Sequence, residues 1–374
     1  MLHFCPPPCS MAVVGIDCRF GSALAGLGTF TRNLTAELLQ RKDGWSYVLF
    51  VKSAREEWLS PFAKLGVDIR EAPFPHYSFR EQADFPNLIQ DAGCDLFHSP
   101  HFNVPFFCPI PFTCTVHDLI LHRFPNEATL MKRLAYRFVI GSALRNAKHV
   151  CAVSQSTKAD IASFYGTGIE AKTSVTYPGA SAAFRPQSKD IQAEVRMHYG
   201  LEKPFLLYVG NCKEHKNVRM LIDAFTKAGL PGIELVCVAG GIECAHVGRH
   251  KDVRFIPTVP PEDLPALYSA ALGCVTATLM EGFCLPLIEA MACRTPVLAT
   301  NVGPIPEVCG EHALLSEPTV TCFSDAMRTL VLDPSVRSSE KLSSAEKWAA
   351  RFSWNLTASA TAHEFKSILE RLPS

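Results

Sequence analysis

An alternation that runs through the chain twice restricts its fold more than any other feature. Short β-branched runs give way to longer stretches of helical periodicity, beginning with residues 11–17 as a strand and 29–41 as a helix. Strands separated by helix-length segments mark parallel βαβ units. Residues 47–51, 96–98, 113–116, 149–153 and 172–176 continue the first series. A turn-rich passage from Tyr177-Pro178-Gly179 to Phe184-Arg185-Pro186 interrupts it, and 204–210 opens a second series that continues through 233–239, 253–256, 274–277 and 296–299. With 374 residues the chain exceeds what one hydrophobic core usually serves. The expectation is an α/β protein with a first domain over 11–182, a linker region over 183–203 and a second domain over 204–353. A closing helix over 354–374 is expected from Leu356, Ala360, His363, Ile368 and Leu369, which recur at roughly helical spacing. Residues 1–10, with Cys5, three prolines and Cys9, read as a disordered extension and not as a signal peptide.

Charge excludes some partners. The 36 basic and 36 acidic side chains balance, and the pI is near 7.2, so no general field captures nucleic acid or anionic lipid. Any anion must be bound locally. The fifteen cysteines include no Cys-x-x-Cys pair, and many sit in apolar runs such as Val236-Cys237-Val238 and Met291-Ala292-Cys293. They read as free thiols acting as small hydrophobes in a reducing cytosol. No run of about 18 uncharged apolar residues spans a membrane.

The segment Glu281-Gly282-Phe283-Cys284-Leu285-Pro286-Leu287-Ile288-Glu289 follows the strand at 274–277. A strand, a glycine turn and a proline in the first helical turn aim free backbone N–H groups outward, which attracts phosphate. Glu289 would sit one turn in, where a carboxylate can accept two hydrogen bonds from a ribose diol. Glu281 would lie across the same pocket. The plain alternative is a pair of solvated acids, Glu289 complementing the helix dipole.

This segment resembles the signature of the group 1 retaining glycosyltransferases with the GT-B fold. Leu264-Pro265-Ala266-Leu267-Tyr268, Glu289-Ala290-Met291-Ala292, Thr295-Pro296-Val297 and Pro306-Glu307-Val308 extend the likeness. The resemblance implies two Rossmann-like β/α/β domains facing a central cleft, the acceptor bound mainly by the first and a nucleoside-diphosphate sugar by the second. Cys284 stands where the family usually has glycine. Tyr208-Val209-Gly210 with Glu214-His215-Lys216-Asn217 is similar to the family's strand and turn whose lysine neutralises the donor diphosphate. His215 and Asn211 replace arginines that are common there, and Lys213 is a neighbouring cation. Gly26-Leu27-Gly28-Thr29 is similar to the family's glycine-rich turn beside the diphosphate, with Thr29 in place of a common arginine, while Thr31 stands where a dinucleotide-binding fingerprint has its third glycine. His117, in Thr115-Val116-His117-Asp118-Leu119, takes the place of a histidine near the reacting sugar, with Asp118 holding the loop.

The implied scheme is metal-free. Lys216 and the backbone amides of Phe283, Cys284 and Leu285 hold diphosphate together with Gly26, Gly28 and Gly210, Glu289 binds ribose, and Glu281 and His117 orient the sugar. His98-Ser99-Pro100-His101 invites a metal, but Pro100 argues against the helix that would chelate one, so acceptor contact is the working expectation. Ser154 reads as a helix N-cap. Lys132, Arg133, Arg137 and Arg145 read as a solvated helix face over a stripe containing Phe138, Val139 and Ile140, with docking to a membrane bearing a lipid-linked acceptor as the alternative. The likeness favours mannose from a guanosine donor, with uridine-linked glucose or galactose next, transferred in the cytoplasm or at the inner face of the membrane. No other cofactor is implied, and oligomeric state has no signal. A nucleotide-sugar 2-epimerase and a non-catalytic binding protein are the alternatives.

Overall fold

A computed structural model describes residues 11–23, 26–63, 65–241, 244, 247 and 250–372. The expected extension at 1–10 lies outside them. Two parallel sheets carry the chain. The first contains β1 (Val13–Asp17), β2 (Ser46–Val51), β3 (Asp68–Glu71), β4 (Leu96–Ser99), β5 (Phe112–Val116), β6 (His149–Ala152) and β7 (Thr173–Val175), in the order β3-β2-β1-β4-β5-β6-β7. The second contains β8 (Phe205–Val209), β9 (Glu234–Val238), β10 (Val253–Ile256), β11 (Gly273–Thr276), β12 (Val297–Thr300) and β13 (Leu314–Ser316), in the order β10-β9-β8-β11-β12-β13. Helices cover both faces, so the inner strands are mostly apolar, as in Phe205–Val209 and residues 297–299. This is the doubly wound GT-B architecture.

In each sheet the strand order reverses direction once, between β1 and β4 and between β8 and β11. The crevice beyond such a reversal is where open α/β sheets take ligands, because the connecting loops leave to opposite faces. Gly26 and Gly28 follow β1, His98 lies near the end of β4 and His101 follows it, His117 follows β5, and Gly210, Lys216, Glu281 and Cys284 follow β8 and β11.

The stretch expected as a linker holds a helix. Lys189–His198 begins at Ser188, whose hydroxyl accepts from Ile191 N–H, and packs on the Leu264–Ala270 helix of the second body. Tyr199 Oη donates to Asp263 at 2.7 Å and Gln187 N–H to Ser269 Oγ at 3.1 Å. The final helix, Trp354–Leu369, packs on Leu27–Gln40 of the first body. Arg41 reaches Ser359 at 2.7 Å, Trp354 meets Phe30 edge-on at 5.5 Å, and Phe365 lies 5.2 Å from His98. One apolar cluster therefore runs from Ile16 and Leu34 through Trp354 and Phe365 to Leu207 and Leu287.

The expectation that all thiols are free is corrected: Cys212 and Cys244 form a disulfide across a sequence separation of 32. The pairing is non-local because the loops leaving β8 and β9 emerge side by side. The described free cysteines are mostly buried, and burial pushes the thiols of Cys151 and Cys237 up to about 12.

Phe365 is fully buried where the last helix meets the first body. Phe365→Ala is expected to lower stability by about 3–5 kcal/mol. Urea unfolding followed by tryptophan fluorescence measures this, and an unshifted transition would contradict the anchoring role.

Candidate functional site

The second body supplies a cation and a carboxylate. β8 ends at Val209, and Gly210 N–H donates to Val238 C=O at 3.1 Å. A Cβ on Gly210 would sit 2.8 Å from the Tyr208 hydroxyl, which itself donates to Asn211 C=O at 2.5 Å. The chain then makes a single turn, Glu214–Lys216, and passes through Asn217, left-handed with φ 54°, into the Val218–Ala228 helix. Lys216 Nζ meets Glu281 Oε1 at 2.5 Å, the side chains 18% and 9% exposed. Burial alone would lower the ammonium pKa. Glu281 foremost, with Cys284 and Asp118 adding to it, offsets that burial and holds Lys216 above its ordinary value.

Beyond Glu281 the loop enters the Leu285–Ala292 helix through Cys284, whose φ is 78°. A left-handed backbone favours glycine, which explains why the resemblance expects glycine there. No side chain caps this helix and Pro286 carries no N–H, so the amides of Phe283, Cys284 and Leu285 lie at an end that lacks a side-chain acceptor. Phe283 is buried against Tyr177 and Phe352, with ring centroids at 6.1 and 5.5 Å. Glu289, one turn along, accepts from the Tyr268 hydroxyl at 3.1 Å. Among the described residues no hydrogen bond or ion pair links it directly to Lys216 or Glu281.

The first body closes on this loop. His117 Nε2 lies 2.8 Å from Pro100 C=O, and a carbonyl only accepts, so the ring donates from Nε2 and keeps Nδ1 as an acceptor. Burial lowers its pKa against the opposing pull of that carbonyl and of Asp118, favouring the neutral ring. Asp118 Oδ1 accepts from Ile120 N–H at 3.0 Å, which steadies the loop. A Cβ on Gly282 would fall 1.7 Å from His117 C=O. The Thr157 hydroxyl lies 3.4 Å from the carbonyls of both residues. His117, Glu281 and Lys216, far apart in sequence, thus share one seam.

The remaining expected residues are placed as follows. Gly26 starts the Leu27–Gln40 helix with φ 53° and open space beside it. Gly28 is closed off by its own loop, since a Cβ there would lie 1.9 Å from Ala23 C=O. His98 Nδ1 bonds Thr113 Oγ1 at 2.8 Å and burial lowers the ring to about 3, while His101 Nδ1 accepts from Asn103 N–H at 3.1 Å. Ser154 caps the Gln155–Tyr165 helix. Among the described residues no group of three or more His, Cys, Asp or Glu is arranged to hold a metal ion.

Sequence reasoning missed the residues that reach across the seam. Glu127 accepts from His215, and Glu307 Oε1 accepts from Gln155 N–H at 2.9 Å. Glu307 lay within a recognised motif. Glu127 sits in no pattern, and only its contacts reveal it.

The model of Glycosyl transferases group 1 matches residues 194–348, and that of Glycosyltransferase Family 4 matches 24–184. The chain is 28% identical over 293 residues to O-antigen chain mannosyltransferase B of Escherichia coli, covering 74% of this chain and 76% of that one. It is 30% identical over 214 residues to O-antigen chain mannosyltransferase RfbU of Salmonella typhimurium, covering 55% and 56%. Sucrose-phosphate synthase from Thermosynechococcus elongatus shares the fold with a TM-score of 0.75 at 20% identity, over 96% of this chain and all of that one.

Burial pushes the Glu289 carboxyl from its ordinary 4.5 up to about 7, against the hydrogen bond from Tyr268. The folded state therefore holds an extra proton between those values. The associated stability is full below about 4.5 and is lost as pH rises through 7. Glu289→Gln, neutral throughout, is expected to flatten the fall of unfolding free energy over that window, read from urea titrations at stepped pH. Parallel curves for the two proteins would sink this reading.

Proposed function

The chain belongs to the group 1 glycosyltransferases and is akin to bacterial O-antigen mannosyltransferases, and from this premise we propose that it moves a hexose, mannose first, from a nucleoside diphosphate to a saccharide or lipid-linked acceptor with retention at the anomeric carbon. The observation that carries this reading is the Lys216–Glu281 pair beside an uncapped helix start, at the strand-order reversal of the second sheet. A departing diphosphate gains negative charge in the transition state, and a fixed cation with oriented amides stabilises it most at that moment. An ammonium has three donors, so Lys216 can keep Glu281 and still meet phosphate oxygens.

In this scheme the amides of Phe283, Cys284 and Leu285 share the diphosphate with Lys216, and the turns at Gly26, Gly28 and Gly210 lie along its path. Glu289 accepts from the ribose hydroxyls. Glu281 and the neutral His117 orient the sugar, and the acceptor hydroxyl attacks from the face that the diphosphate leaves. No metal is assigned a role. A guanosine donor is favoured over a uridine one, and the reaction is placed in the cytoplasm. The relatives named above are transferases, which leaves the epimerase alternative unsupported.

A place for the acceptor's carrier is the Leu130–Asn146 helix. Leu130, Met131, Leu134 and Phe138 are 61%, 75%, 54% and 61% exposed, interleaved with Lys132, Arg133 and Arg137. The simple expectation of a solvated face over a buried stripe fits Ile140 but not these four. Bulky apolar residues among cations suit an anionic lipid surface. Among the described residues no helix is long and apolar enough to cross a membrane.

Thermal-shift screening against guanosine- and uridine-diphosphate sugars is expected to single out one donor. With it, Lys216→Ala should lower kcat/KM by about 10²–10³. Undiminished transfer by this variant would refute the mechanism, and absence of transfer by the wild type with every donor would favour a binding protein. Sedimentation with phosphatidylglycerol vesicles should pull the protein down at low salt and release it at high salt, and Phe138→Asp should weaken this. No salt-sensitive binding would remove the membrane contact.

A further inference from the structure

Glu127 ends a single turn, Pro125–Glu127, reached from β5 through the loop that carries His117 and Asp118. Its carboxylate is spent on the other body. Oε1 accepts from the backbone N–H of His215 at 2.9 Å and from His215 Nδ1–H at 2.6 Å. The side chains are only 10% and 4% exposed, and the Phe124 ring stands 6.1 Å from the imidazole. From the opposite side, His215 C=O accepts from Leu279 N–H at 2.7 Å and from the Thr278 hydroxyl at 3.1 Å. The turn Glu214–Lys216 is therefore gripped from two directions, and its last residue is the lysine that meets Glu281.

We propose that Glu127 is a positioning residue for the diphosphate seat: acting through His215, it fixes the turn that bears Lys216, so that a loop of the first body sets where the cation of the second body stands. This rests on the reading of Lys216 as a diphosphate contact. The turn has little internal support, with Lys216 N–H bonded to Lys213 C=O at 2.9 Å and Asn217 N–H to Glu214 C=O at 3.0 Å. Taking away the carboxylate leaves two buried donors of His215 unmet, and the turn relieves them only by moving. Such a shift displaces Lys216 while leaving the Leu285–Ala292 helix and Glu289 in place. The loss should fall on the part of the ligand that the lysine meets.

Isothermal titration of the full chain with GDP and UDP, and in parallel with GMP and UMP, tests this. Glu127→Ala is expected to weaken diphosphate binding roughly tenfold while binding monophosphates as the wild type does. Glu127→Gln retains an acceptor oxygen and should recover most of the affinity. From the other side of the contact, His215→Asn keeps an N–H close to the place of Nδ1 and should bind diphosphates normally, whereas His215→Leu should repeat the selective loss. The His215 pair also decides the matter if Glu127→Ala does not fold. Equal losses for mono- and diphosphates, or unchanged diphosphate binding, would overturn the proposal. Lys216→Ala separates the two layers: if it also binds diphosphates normally, the seat itself is misassigned, and if it alone loses them, only the role of Glu127 fails.

Discussion

An ammonium ion taken out of water needs an anion beside it, and the pairing of Lys216 with Glu281 is the constraint around which the seam is arranged. Breaking a well-buried pair from one side costs about 3–5 kcal/mol, so the two loops that carry these residues cannot drift apart independently. Glu281 stands on the loop leaving β11 and Lys216 on the turn following β8, the strands that flank the reversal of the second sheet. The same loop feeds the uncapped start of the Leu285–Ala292 helix, so the requirement of one charge also fixes a set of backbone donors nearby.

Much of this was legible because it depends on local chemistry. Parallel strands covered on both faces are mostly apolar, and those runs marked their own positions to within a residue or two. β3 escaped notice because Asp68-Ile69-Arg70-Glu71 is a charged edge strand, and edges are protected by just such residues. β13 has only three residues. The helix at Lys189–His198 was hidden behind the prolines and glycine that precede it, although Ser188 is an ordinary N-cap residue.

The loop from Glu281 and the helix start it feeds were legible for a different reason: a glycine turn, a proline and two acids at fixed spacing leave a mark within nine consecutive residues, Glu281 to Glu289. Contacts between loops distant in sequence leave no such mark. Glu127 with His215, Glu307 with Gln155, and Cys212 with Cys244 depend on where distant loops emerge, which one chain read in order does not encode at any spacing. Cys284 lies between these cases. Its departure from glycine was visible in the sequence, and only its left-handed backbone says that the thiol is carried at a cost of order 1 kcal/mol.

Gly282 lies so close to the His117 carbonyl that not even a methyl group fits between them. At this position the amino-acid alphabet shrinks to a single letter, and what shrinks it is the path of a distant loop. A heritable change here can persist only if the backbone around His117 has first been rerouted, so drift in the two halves of the gene is tied together at a point that contributes no side chain at all.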